Sequence, residues 1–204
     1  MEADWAVEIG AGAPIIEALW TGFVDLRFDP RLSSGALLNR AQGLAEATDL
    51  AGLAEALVRL NSLHSPVWTS KCDVWPVDAG EIDPYELEAT PQEAQFAQAC
   101  YLDLLPRNNK DDQQWTTLEM AVFSCRSLCD LLHELPLSAC RVDLVVRLAV
   151  IAPSFADHDL TGPDLIDHGV TAYLTACGAT ANAAKERLEL ALAAFTDALS
   201  PQSR

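Results

Sequence analysis

The sequence predicts an α+β fold: a largely antiparallel sheet with helices packed on one face, built from ferredoxin-like βαβ units, with material for two of them fused. Three observations predict it. In residues 139–151, ACRVDLVVRLAVI, Val142, Leu144, Val146, Leu148 and Val150 alternate with Arg141, Asp143 and Arg147, the period of a strand with one face in a core. Other segments place apolar residues at three- and four-residue steps, the period of an amphipathic helix. The order strand, helix, strand also recurs: FVDLRFDPR and KCDVWPV flank one helical region, CYLDLLPR and CRVDLVVRLAV another, and each of these strands carries an Asp among apolar residues. The boundaries that follow are 1–78 for an N-terminal ββαβ half, 79–93 for an acidic, Pro-containing connection and 94–200 for a C-terminal βαββα half, together one compact unit whose missing sixth element comes from the N-terminus.

Taken in order, residues 5–9 alternate weakly as a first strand. Gly10 and Gly12 make a turn, because a dinucleotide-binding loop needs a third glycine where Ile15 stands and a helix after it. Residues 15–28 alternate as a second strand, with Trp20, Val24, Leu26 and Phe28 on one side and Thr21, Phe23, Asp25 and Arg27 on the other; Pro30 ends it. Ser33 or Ser34 caps a first helix and Asp49 a second, whose stripe is Leu50, Leu53, Leu57 and Leu60. Residues 67–77 form a strand with Trp68, Cys72 and Val74 inward and Lys71, Asp73 and Trp75 outward. Asp83-Pro84 and Thr90-Pro91 are helix-start pairs that predict a short helix in the connection. From Phe96 a strand turns Cys100, Leu102 and Leu104 inward and Tyr101 and Asp103 outward. Thr116 caps the clearest helix, with Leu118, Val122, Cys125, Cys129, Leu132 and Leu135 in its stripe. A long polar loop, 153–169, precedes a strand over 170–177, and Thr180 caps a last helix striped by Ala184, Leu188, Leu192, Phe195 and Leu199.

Composition excludes some partners. Thirteen Lys and Arg against thirty Asp and Glu give a formal charge of −17, a field that repels nucleic acid and anionic membrane. No stretch of about 18 apolar residues is present and the N-terminus lacks a basic, then apolar, leader, so a cytoplasmic protein is expected. The six cysteines then read as reduced thiols. No cofactor is expected: no P-loop, G-x-S-x-G elbow or H-E-x-x-H is found.

Function is sought on the polar parity of the strands. It collects Thr21, Asp25, Arg27, Lys71, Asp73, Trp75, Tyr101, Asp103, Arg141, Asp143, Arg147, Thr171, Tyr173 and Thr175. Mixed charges beside Trp and Tyr suit a ligand groove or an interface, since aromatics give area at low entropy cost and ions fix orientation. Asp25, Arg27, Asp73, Trp75, Tyr101, Asp103, Arg141, Asp143, Arg147 and Tyr173 are therefore the candidate contact residues, for a small molecule or for a homodimer through that face; the competing expectation is a solvated face of weak Asp–Arg pairs. A small enzyme is the alternative, with its pocket under the 153–169 loop and either Cys177, off the core parity near a helix N-terminus, or Asp103 and Asp143 as acid and base. Asp157, His158, Asp159, Asp164, Asp167 and His168 give that loop metal-capable side chains without standard spacing. Cys125, Cys129 and His133, at i, i+4 and i+8, are the other metal candidates, although both thiols coincide with the apolar stripe, where packing is the simpler role.

Overall fold

The computed structural model describes residues 1–18, 24–27, 29, 31–107, 115–151 and 168–200. Its strands are β1 (Glu2–Glu8), β2 (Ile16–Ala18), β3 (Val67–Val77), β4 (Phe96–Pro106), β5 (Cys140–Arg147), β6 (Ala149–Ile151) and β7 (Gly169–Gly178); its helices are α1 (Ser34–Gln42), α2 (Ala45–Asp49), α3 (Ala51–Leu60), α4 (Leu118–His133) and α5 (Ala181–Leu199). Five strands form one sheet in the order β1-β5-β7-β4-β3, and β2 and β6 pair as a small parallel sheet. Only β1 with β5 is parallel in the main sheet; β5–β7, β7–β4 and β4–β3 are antiparallel. The protein is thus an α+β fold with a mixed, mostly antiparallel sheet and five helices packed against it. β4 and β5 are joined through α4, with β7 lying antiparallel between them. The strand beside β4 is β3, not the N-terminal strand expected there; β1 takes the opposite edge. Residues 1–78 therefore build no main sheet of their own, and the expectation of two fused βαβ units gives way to one sheet with β1 and β3 at its edges.

The alternation in each strand explains this layering. Rows Val142–Leu174–Cys100–Val74 and Leu144–Ala172–Leu102–Cys72 cross the sheet in register and turn toward the helices. They share one cluster with Leu53 and Leu57 of α3, Cys125 and Cys129 of α4, and Leu188, Leu192 and Phe195 of α5. Each fully buried Leu or Val there contributes on the order of 1.5–3 kcal/mol, so the apolar parity decides which way a strand faces. Three helices start on side-chain caps: Ser33 accepts the Ala36 N–H, Thr117 that of Met120 and Thr180 that of Ala183. The cap of α4 is therefore Thr117 rather than Thr116. Asp49 caps nothing; it ends α2, and α3 begins at Leu50 without a side-chain cap.

Four departures from the sequence expectation shape the other face. Of the expected second strand, Ile16–Ala18 is strand and Asp25 and Arg27 lie in irregular backbone, with Arg27 Nε and Nη2 donating to Asp25 at 3.0 and 2.8 Å; residues 19–23 and 28, with Trp20, Thr21, Phe23 and Phe28, lie outside the described residues. β3 carries a bulge between Thr69 and Cys72, which flips parity so that Trp68 faces away from the helices, opposite Leu105. The long strand 139–151 breaks at Leu148, whose carbonyl accepts the Ile16 N–H; Leu148 and Val150 are exposed, and Ala149 is buried instead. The connection holds no α-helix but a 3₁₀ turn, Ala79–Glu81, and turns in which Asp83 accepts the Tyr85 N–H and Thr90 and Glu93 bond reciprocally. As a result, Ile16, Ala18 and Ala149 of the small sheet pack on Trp68 and Leu105. Gly169 makes that approach possible, since a Cβ there would lie 2.8 Å from the Leu104 carbonyl oxygen and 2.9 Å from Ile16 Cδ1. At the far end, Leu87, Ile82 and Ala89 pack on Ala97, Ala139 and Cys177.

The edge strands carry their own protection. On β1 the Trp5 N–H donates to Asp4 Oδ1 at 2.8 Å and the Ala3 N–H to His133 Nε2 at 3.3 Å; on β3 the Val74 N–H donates to Asp73 Oδ1 at 2.8 Å. Leu144→Ala is expected to cost about 2–5 kcal/mol, because it opens a cavity in the helix-side core. Asp143→Asn, in a half-exposed pair with Arg141, is expected to cost less than about 1 kcal/mol. Urea titration of both variants checks the order, and the reverse order would invert the assignment of the two faces.

Candidate functional site

The sheet face away from the helices is covered at both ends and uncovered by any described helix or strand between them. On β4 the outward positions run Ala97, Ala99, Tyr101, Asp103, Leu105; the first packs under the connection and the last under β2 and β6. On β7 they run Cys177, Thr175, Tyr173, Thr171, Gly169, with the same two ends occupied. What remains is a strip about 13 Å long on each central strand, at roughly 3.3 Å per residue.

Register fills the strip. One row across all five strands is Asp4–Asp143–Tyr173–Tyr101–Asp73. The next is Arg141–Thr175–Ala99–Trp75. Trp75, Tyr101 and Tyr173 form a tilted ladder with ring centroids 6.1 and 6.2 Å apart. All three rings are half-buried, and Ala99, the register partner of Trp75, is itself buried. Such ladders present π faces and hydroxyls together.

A hydrogen-bonded chain runs along the inner margin. Arg147 donates to Glu8 through Nε and Nη2, at 3.2 and 2.9 Å, and through Nη1 to the Tyr173 hydroxyl at 2.9 Å and Thr171 Oγ1 at 3.3 Å. Its guanidinium also lies 5.5 Å from the Tyr173 ring centroid. Thr171 passes its own proton toward Asp103 Oδ1 at 2.6 Å. Four strands are tied by these bonds: β1 by Glu8, β5 by Arg147, β7 by Thr171 and β4 by Asp103. Asp103 is buried, and desolvation pushes its carboxyl above the usual range, against the Thr171 hydrogen bond and the more distant Lys71 and Arg147 charges. Tyr101 is pushed up to about 12, by burial first and then by the Asp103 and Asp73 carboxylates. At the outer margin Arg141 holds Asp143 with Nε at 2.8 and 2.9 Å and lies 3.9 Å from Asp4.

Of the residues predicted from sequence, Asp73, Trp75, Tyr101, Asp103, Arg141, Asp143, Arg147 and Tyr173 thus share this face. Asp25 and Arg27 lie outside the strip's strands and pair with each other, with the Arg27 guanidinium 5.3 Å from the Trp68 ring at the end covered by the small sheet. Asp4 and Glu8 belong to the strip and escaped the sequence, since nothing local shows that β1 pairs in parallel with β5; Ala99 shares the outward parity of Tyr101 but carries no polar or aromatic group to draw notice. Cys177 has the predicted parity but is fully buried under Leu87, and burial raises its thiol pKa rather than lowering it. Cys125 and Cys129 lie in the helix-side core with thiols pushed up to about 12 by burial, while His133 is exposed at the β1 edge. Among the described residues no group of three His, Cys, Asp or Glu is placed to hold a metal ion. Residues 153–167 of the predicted flap, with five of its six metal-capable side chains, lie outside the described residues; His168 is buried, its Nε2 3.0 Å from the Trp115 carbonyl oxygen. Among the described residues no helix is long and apolar enough to cross a membrane. The chain matches no protein-family model, no curated protein and no solved structure.

Asp103 has a pH signature. A carboxyl raised in the folded state binds its proton more tightly there than in the unfolded chain, so its contribution to stability is full below the ordinary value of about 3.9 and is lost as pH rises through the raised one. The difference in urea midpoint between wild type and Asp103→Asn should therefore shift toward the variant from pH 4 to pH 7; a constant difference would show an unperturbed carboxyl. Cys177, in turn, should alkylate with iodoacetamide far more slowly than a free thiol at pH 8.5 until denaturant is added, as tryptic mass mapping would show.

Proposed function

We propose that the protein is a non-enzymatic binding module that takes a small molecule on the strip between the small sheet and the connection. The observation that carries this is the Trp75–Tyr101–Tyr173 ladder, half-buried, held between two covered ends and flanked by hydrogen-bonded charges. A homodimer through the same face is the competing occupant. It would bring Asp4, Glu8 and Asp73 of two strongly acidic chains together, and like charges face to face oppose association, which favours the small molecule. We infer a finer description too, a ferredoxin-like unit of β4, α4, β5, β7 and α5 with β3 in the slot beside β4, on the ground that β7 lies antiparallel between the two strands joined by α4. One observation favours a second reading, a small enzyme: the raised carboxyl of Asp103 suits proton transfer at the inner margin of the strip.

Native mass spectrometry and sedimentation of the purified protein test the proposal. A monomer that retains a small mass, released by combined Trp75→Ala and Tyr101→Ala, is the expected result. A monomer with nothing retained overturns it, as does a dimer that the same substitutions dissociate; a retained mass that changes chemically in wild type but not in Asp103→Asn moves the assignment to the enzyme.

A further inference from the structure

Resting on that binding reading, we propose that the occupant is an organic cation, a quaternary or protonated amine seated over the Tyr101 ring between the Asp73 and Asp103 carboxylates. Tyr101 is the centre of the strip: Asp73 is its register partner on β3, Tyr173 its partner on β7, and Trp75 and Asp103 each stand two residues further along on the same face. Three rings and two carboxylates around one position supply π faces and full charge to the same guest, the combination that recognises ammonium groups. The protein already uses a ring of this ladder so, with the Arg147 guanidinium 5.5 Å from the centre of Tyr173.

Charge balance selects the sign. The cations of the face are engaged: Arg141 with Asp143, Arg147 with Glu8, and Lys71 3.9 Å from Glu17. An anionic guest would have to break one of these pairs. Asp73, by contrast, is exposed and has no ion pair among the described residues, its Oδ1 meeting only the Val74 N–H. Asp103 has its Thr171 hydrogen bond and no described cation within 4.0 Å. A cation over Tyr101 would therefore meet the Asp73 carboxylate, unpaired among the described residues, and, in Asp103, one whose nearest cations, Lys71 and Arg147, act only from a distance. The net charge of −17 adds attraction at longer range.

The test titrates the full chain with choline and with its neutral isostere 3,3-dimethyl-1-butanol, read by proton NMR line broadening of the probe and by quenching of tryptophan emission. Choline is expected to bind at least tenfold more tightly than the isostere. Asp73→Asn keeps an acceptor for the Val74 N–H and should weaken choline at least threefold without affecting the isostere; Tyr101→Phe should retain binding and Tyr101→Leu should lose it. Equal affinities for the two probes, choline binding indifferent to Asp73→Asn, or no choline binding overturns the cation. If the native protein nevertheless retains a neutral or anionic small mass on the strip, the binding module stands and only its ligand class falls; if it retains nothing and neither probe binds, both fall.

Discussion

The structure depends on β7 being shared. This strand pairs with β5 on one side and β4 on the other over nearly its whole length, so its alternation is imposed on both neighbours. Val170, Ala172, Leu174 and Ala176 are buried among the helices, and two alanines in that row let α5 lie close to the sheet. A shift of one residue in either ladder would carry Thr171, Tyr173 and the arginines of β5 into an apolar layer, a cost of several kcal/mol per unpaired charge. Core and polar face are therefore one specification seen from two sides.

On the polar side, magnitudes separate what stabilises from what is held ready. The exposed pairs, such as Arg27 with Asp25, are each worth at most about 1 kcal/mol. The chain from Glu8 through Arg147 and Thr171 to Asp103 differs in kind, because Arg147, Thr171 and Asp103 are largely removed from water and every bond is needed to offset desolvation. Its net effect on stability is small or unfavourable at neutral pH for Asp103. A buried carboxylate kept without a close cation, beside the tyrosines on the same face, is the kind of local cost that folds retain at sites of use.

Much of this was legible in the sequence. The strands over 67–77 and 96–106, the breaks at Gly43 and Pro136, the Ser33 and Thr180 caps and the stripe of α5 follow from period and capping chemistry alone. The illegible parts share a physical cause: they are set by contacts between segments distant in sequence. The β3 bulge is stabilised by β2, with Ser70 Oγ donating to the Glu17 carbonyl at 2.8 Å, and no local pattern announces that Trp68 turns over. Leu148 continues the alternation of β5 perfectly yet ends it, because its carbonyl is taken by Ile16 from more than a hundred residues away. Asp25 and Arg27 alternate like strand residues while satisfying one another. For the site, parity alone gathered most of the strip; the Glu8 end needed the parallel pairing of β1.

The carboxylates of Asp4 and Asp73 do for the outer strands what a partner strand would do. Each occupies the donor of the next residue, so a passing extended chain meets a spent N–H and a negative charge where it would need an acceptor's counterpart. Lateral pairing with a further strand, the step from which fibrous assembly grows, is thus discouraged at one position on each flank.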